Sequence, residues 1–288
     1  VIEFFKIDNI LEIHPKLFNL DSDIQLLLVL KKFLKNKLFF KRVFIGEYRS
    51  FHMRKFFDYS PNSELFCLDD GNVAIQVYEF IRNQKDFYYY EGLKGWVKKT
   101  IYFCESKLLG LSSAPINRNI KVFTAFDVNL SRDVVFHNFP YLKSLSNTSS
   151  IEVVYFYGSQ LSLVGIDIKE ELKYLEHAIQ YFSKKNIRFL YLPHRCETNK
   201  KLEYIESQYG IEVKRSKYPT EVQLTYDEII PSHIAAYGST VLFTLPKIYD
   251  IKSVTVFFPN LSLIKKKHFE EWVFLRKEYK KTMKVIDL

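Results

Sequence analysis

Four short polar stretches carry side chains that could do chemistry together. They are Asp69-Asp70-Gly71, Gly158-Ser159-Gln160, Pro193-His194-Arg195 with Glu197 just beyond, and Gly238-Ser239-Thr240. Each follows a short apolar run: ELFCL, IEVVYFY, IRFLYLP and HIAAY. A carboxylate can take a proton from an attacking hydroxyl, and a histidine can give one to a leaving phosphate. Arg195 can grip a phosphate or carboxylate, and Ser239 and Thr240 can do so together with the amides of a helix that starts there. Such a set suits transfer of a sugar from a nucleotide to an alcohol, with histidine and helix amides neutralising the leaving group and no metal required. Ordinary readings exist for each stretch. Asp-Asp-Gly also makes a helix cap and turn, Gly-Ser-Thr an N-cap, and a lone strand-end histidine is often structural. Glu197 can be the N-terminal charge of the next helix. Co-location favours the chemical reading, because open parallel sheets bind ligands at the carboxyl ends of their strands.

The elements that must position these groups follow from hydrophobic periodicity. Strands are expected at 41–48, 63–71, 122–126 and 133–139, with helices at 52–57, 72–84 and 97–110. The polar patch Ser144–Ser150 is the best linker, which predicts domains 1–148 and 149–288. Beyond it, strands at 151–157, 187–192, 211–215, 233–237 and 253–258 alternate with helices at 169–185, 199–209 and 240–249. An amphipathic helix over 263–285 ends the chain. This alternation predicts an α/β protein of two Rossmann-like lobes, each a parallel sheet flanked by helices, with the ligand expected in an interlobe cleft.

Composition narrows the partners. The formal net charge is +9, which favours anionic ligands: phosphorylated glycans, nucleotides or a membrane surface. Nucleic acid is not expected, since the longest basic clusters, Lys265–Lys267 and Lys280-Lys281, are short and no recognition motif accompanies them. Cys67, Cys104 and Cys196 are far apart, which suits a reducing compartment and gives no metal or disulfide framework. No apolar run reaches the roughly 18 residues of a membrane span. A cytoplasmic address is therefore expected, with a leading segment before Val1 allowed. Contact with the inner face of a membrane is open to helix 263–285, whose Phe269, Trp272, Val273 and Tyr279 lie among basic residues. The other reading of that helix is that it packs back on the fold. Tyr88–Tyr90 could stack on sugars or pack between helices, and Arg49 and His52, after VFIGEY, could touch an acceptor or lie in a solvated loop.

The ordered set of motifs resembles bacterial sialyltransferases of the GT-B type, above all lipooligosaccharide sialyltransferases and, more distantly, capsular polysialyltransferases. Those families carry an acidic-acidic-Gly motif, here Asp69-Asp70-Gly71, then a His motif, here Pro193-His194-Arg195, and later a hydroxyl pair, here Ser239-Thr240. YPTEVQL resembles their Pro-x-Glu element. Several of these families have His-Pro where this chain has Pro-His-Arg. The resemblance spans about residues 40–260 and implies an inverting transfer from CMP-sialic acid without a cofactor. It implies Asp69 as general base, with Asp70 as fallback, and His194 as general acid or charge partner of the CMP phosphate. Gly158, Ser159, Gln160, Arg195, Glu221, Ser239 and Thr240 would hold the donor, with Glu221 at its ribose. Asp70 is also a candidate acceptor contact, beside Arg49 and His52, which are candidates only from their place after a strand. The acceptor would be an anionic or lipid-linked glycan such as lipooligosaccharide galactose, and a homodimer is allowed. Extension of polysialic acid, transfer of Kdo or a hexose, and a non-catalytic glycan- or nucleotide-binding protein are the competing readings.

Overall fold

The computed structural model describes residues 41–46, 48, 50–58, 60, 63–69, 71, 74, 77–78, 81, 92–110, 119–126, 133–146, 149–227 and 229–288, with positions 28, 31 and 32. The chain divides into two compact units, Val1–His137 and Asn138–Leu288. The division precedes the polar stretch 144–150.

In the first unit, β1 (Arg42–Ile45), α1 (Phe51–Asp58), β2 (Glu64–Leu68), α2 (Gly92–Leu108), β3 (Ile120–Thr124) and β4 (Val134–Phe136) follow in order. The strands form one parallel sheet in the order β1-β2-β3-β4. Leu65, Phe66 and Cys67 of β2 are all buried although they alternate between faces, as a strand covered on both sides requires. Ala74, Val77, Tyr78 and Ile81 are helical, inside the helix expected over 72–84, and the first three are buried. Helix α2 starts earlier than expected and stops before Gly110, whose φ of +71° suits glycine.

The second unit contains α3 (Pro140–Leu145), β5 (Ser150–Tyr157), α4 (Ile168–Ser183), β6 (Arg188–Leu192), α5 (Asn199–Tyr209), β7 (Glu212–Val213), α6 (Thr220–Tyr226), β8 (Ile230–Ala236), α7 (Val241–Ile248), β9 (Ser253–Phe258), α8 (Lys266–Thr282) and β10 (Lys284–Asp287). All six strands are parallel, in the order β10-β9-β8-β5-β6-β7. The chain builds outward from β5 to β7, then crosses to β8 on the other side of β5. That is the doubly wound order, and its switch point lies between β5 and β8. Capping fixes where the helices begin: the Asp167 carboxylate accepts the Glu170 N–H at 2.9 Å, and the Thr198 hydroxyl accepts the Lys201 N–H. The core is aromatic, with Phe156 against Phe189, Tyr191, Tyr237 and Phe257.

Three elements here were not anticipated. Helices α3 and α6 are only 6 and 7 residues long, too short to show a helical period, and each opens at or just after a proline. Strand β10 takes the last residues of the expected helix 263–285. Helix α8 stops at Thr282, and Val285 and Ile286 then pair with Val256 and Phe257. The apolar face of α8 packs inward: Trp272, Leu275 and Tyr279 are buried, with Trp272 against Phe258 and Tyr279 stacked on Phe243. Among the described residues no helix is long and apolar enough to cross a membrane.

Candidate active site

Three of the four polar stretches converge in the second unit. Tyr157 pairs level with Leu192 on one side and Ala236 on the other, so β6, β5 and β8 end at one height. Their carboxyl ends deliver Pro193-His194-Arg195, Gly158-Ser159-Gln160 and Gly238-Ser239-Thr240 side by side. The switch point between β5 and β8 lies among them, where this topology leaves its crevice.

His194 and Arg195 are exposed, on a turn between β6 and α5. The turn closes on itself: the Glu197 N–H donates to the His194 carbonyl at 2.9 Å, and the His194 N–H donates to the Glu197 carboxylate at 2.6 Å. The Cys196 N–H donates to His194 Nδ1 at 3.3 Å. An imidazole that accepts at Nδ1 carries its neutral-form proton on Nε2, so the turn sets the tautomer.

Glu197 is the surprise of the turn. Its side chain is only 2% exposed and takes three donors: the Tyr191 hydroxyl at 2.8 Å, the Lys201 ammonium, and the His194 N–H. Lys201 also pairs with Glu171 of α4 at 2.5 Å. Burial pushes the Glu171 carboxyl above its ordinary value against the pull of Lys201. The Tyr191 phenol is pushed well up by burial first and by the Glu197 charge second. Gly158 packs onto this cluster so closely that a Cβ there would come within 2.3 Å of Glu197 Oε2 and 2.4 Å of the Tyr191 hydroxyl. A cavity of about 430 Å³ opens alongside, lined in part by Gln160, Ser162, Leu172, Cys196, Lys200 and Tyr204.

On the β8 side, Ser239 and Thr240 are half-buried at the start of α7, and the side chain of the N-cap residue Thr240 makes no capping hydrogen bond among the described residues. Glu221, in the first turn of α6, is tied to α7. The Thr244 hydroxyl donates to its carboxylate at 2.6 Å, and the Tyr249 hydroxyl donates to its backbone carbonyl at 2.7 Å. Glu221 and the hydroxyl pair therefore belong to one local cluster. The buried Tyr157 hydroxyl has no hydrogen-bond partner among the described residues; burial, then the Glu221 charge, pushes its pKa well up.

In the first unit Asp69 directly follows β2. Its two oxygens take neutral donors: the Tyr78 hydroxyl on one, and the Ala125 N–H at 2.8 Å on the other. Burial, then the Asp69 charge, pushes the Tyr78 phenol far above its ordinary range, so it stays a donor. Gly71, with φ +63°, makes the turn after it.

The fold is similar to that of a solved sialyltransferase. The structure is an alpha/beta-galactoside alpha-2,3-sialyltransferase from a luminous marine bacterium, Photobacterium phosphoreum. The TM-score is 0.50 at 14% sequence identity, with 92% of this chain and 84% of that chain covered. No family model matches, and no curated protein matches. At this identity the likeness is one of fold, and it accords with the α/β architecture of two parallel sheets flanked by helices that the sequence predicts.

Of the remaining candidates, Asp70, Arg49 and Tyr88–Tyr90 lie outside the described residues, and of His52 only its backbone place in α1 is described. No group of three His, Cys, Asp or Glu side chains among the described residues is arranged to hold a metal ion. Sequence reading missed Tyr78, Tyr191, Lys201, Thr244 and Tyr249, the side chains that hold the candidate groups in place. One signal was available: Glu197 and Lys201 stand four apart at a helix start, the spacing at which opposite charges meet.

Proposed function

We propose that this chain is an inverting sialyltransferase that moves sialic acid from CMP-sialic acid to a hydroxyl of a galactose-containing glycan. The observation that carries the reading is the convergence of three anion-suited strand ends at the switch point of a doubly wound sheet. The likeness of fold to a sialyltransferase supports it. The donor is held by Gly158, Ser159, Gln160 and Arg195, by the Ser239 and Thr240 hydroxyls with the first amides of α7, and by Glu221 at the ribose. Asp69 takes the proton from the acceptor hydroxyl. Tyr78 and the Ala125 N–H orient its carboxylate. As the C–O bond to CMP breaks, charge builds on the phosphate, and the Nε2–H of His194 donates to it. His194 and the α7 amides balance that charge, so no metal is called for in this scheme. A lipid-linked acceptor at the cytoplasmic face of a membrane is the natural setting for such an enzyme.

The test is incubation with CMP-sialic acid alone, then with lactose-type and oligosialic acceptors, following CMP release. Release that depends on a galactoside is the expected result. No release with any acceptor, together with no thermal shift from CMP, would overturn the reading.

A further inference from the structure

We infer that Glu197 is a positioning residue for His194, holding the turn that presents the imidazole's Nε2–H to the leaving phosphate. The inference rests on the reading of His194 as the proton donor. Glu197 touches no reacting atom in that scheme and acts through the backbone. Its carboxylate accepts the His194 N–H at 2.6 Å, which pins the residue at its main chain. Its own N–H donates to the His194 carbonyl at 2.9 Å, closing the turn from the other side. Between these two anchors the Cys196 N–H points at Nδ1 and leaves the proton on Nε2. The carboxylate is in turn held by Tyr191 from β6 and Lys201 from α5, and Lys201 is shared with Glu171 of α4. Strand and two helices thus fix one carboxylate.

The same carboxylate limits the neighbouring strand end. The absence of a side chain at Gly158 lets the end of β5 sit against Glu197 Oε2 and the Tyr191 hydroxyl. The Gly158 N–H donates to the Leu192 carbonyl at 2.8 Å, so the two strand ends are also joined by backbone. Glu197 therefore sets the His194 turn against the Gly158 loop, the two features that would meet donor phosphate.

The test combines kinetics with imidazole ¹⁵N NMR, His194 being assigned by loss of its signal in His194→Gln. In the wild type, neutral His194 should be the Nε2–H tautomer. Glu197→Gln and Glu197→Ala should shift it toward a tautomer mixture. Turnover should fall by about 10²-fold, the scale of a 1 Å misplacement, while KM for CMP-sialic acid changes less than threefold. Unchanged His194 resonances in a folded Glu197→Gln protein would overturn the inference, as would a wild-type His194 protonated at Nδ1. Where both variants fail to fold, the wild-type measurement can still overturn the inference, since a proton on Nδ1 would contradict the turn geometry on which it rests. A wild type without turnover would remove the proposed function instead, and the NMR arm would still settle what Glu197 does to the turn.

Discussion

Asp69 and Glu197 are both carboxylates just past the carboxyl end of a parallel strand, and their surroundings differ in kind. Asp69 is half-buried and receives two neutral donors, the Tyr78 hydroxyl and the Ala125 N–H. Glu197 is buried and receives an ammonium in addition to a phenol and an amide. Neutral donors orient a carboxylate and leave its charge in place. A buried cation spends that charge on an ion pair, where desolvation makes it costly to disturb. The first arrangement suits a group that must accept a proton; the second suits one that must not move. Side-chain type and strand-end position alone would have scored the two alike.

The contrast predicts opposite phenotypes. Asp69→Asn keeps the size of the side chain, removes its basicity and turns one of its two acceptors into a donor, so transfer should fall by about 10²–10⁴-fold while the melting temperature falls less than in Lys201→Met. Steady-state CMP release set beside calorimetry measures both, and near-normal turnover would take Asp69 out of the mechanism. Lys201→Met should do the reverse in rank, leaving Glu171 and Glu197 facing each other without their shared cation. Breaking a buried pair by removing one partner costs about 3–5 kcal/mol, and urea denaturation should show a loss of that order. A Lys201→Met protein as stable as the wild type would mean the cluster is not the rigid anchor described here.

Much of this architecture was legible in the sequence because its signals are local. ELFCL, IEVVYFY and IRFLYLP are short, dense in β-branched and aromatic residues, and end in polar groups, which suffices to place β2, β5 and β6 and their carboxyl ends. The elements that escaped have no such signal. Helices α3 and α6 span too few residues to display a period, and β10 continues without a break in composition from α8. The candidate site divides along the same line. His194, Ser239 and Thr240 announce themselves by type at a strand end. Tyr78, Tyr191 and Thr244 matter only through partners 9, 6 and 23 positions away, respectively, and tertiary contact makes those pairs. Glu197 could be read as a helix-start charge because helix starts do favour acids. Its burial against Tyr191 and Lys201 is a tertiary feature that no local pattern reports.

Gly158 offers a smaller test of the same cluster. A methyl group there would collide with Glu197 and the Tyr191 ring, so Gly158→Ala should cost about 1–3 kcal/mol through overpacking. Pairing it with Tyr191→Phe, which removes the one hydroxyl in the way, should recover part of the loss. A double-mutant cycle with no coupling between the two positions would show that the β5 end and the His194 turn are not packed as one unit.

The smallest effect belongs to a third carboxylate, one that is neither reactive nor buried. Glu152 lies on the surface at β5, where His233 Nε2 approaches it at 2.7 Å and Lys252 pairs with it at 2.9 Å. The His233 hydrogen bond first, and Lys252 next, hold its carboxyl at about 2, below the ordinary 4.5. A pKa lowered by folding means that the ionised form is favoured in the native state. Its contribution is therefore complete above about 4.5 and is lost as the pH falls through about 2. The stability difference between wild type and Glu152→Gln, followed by chemical denaturation across that range, should shrink toward zero on the acid side. Because the pair is exposed, molar salt should flatten the same difference at neutral pH, which it should not do for the Lys201 cluster. Equal salt sensitivity at the two sites would erase the distinction between surface and anchored carboxylates on which the roles proposed for Asp69 and Glu197 depend.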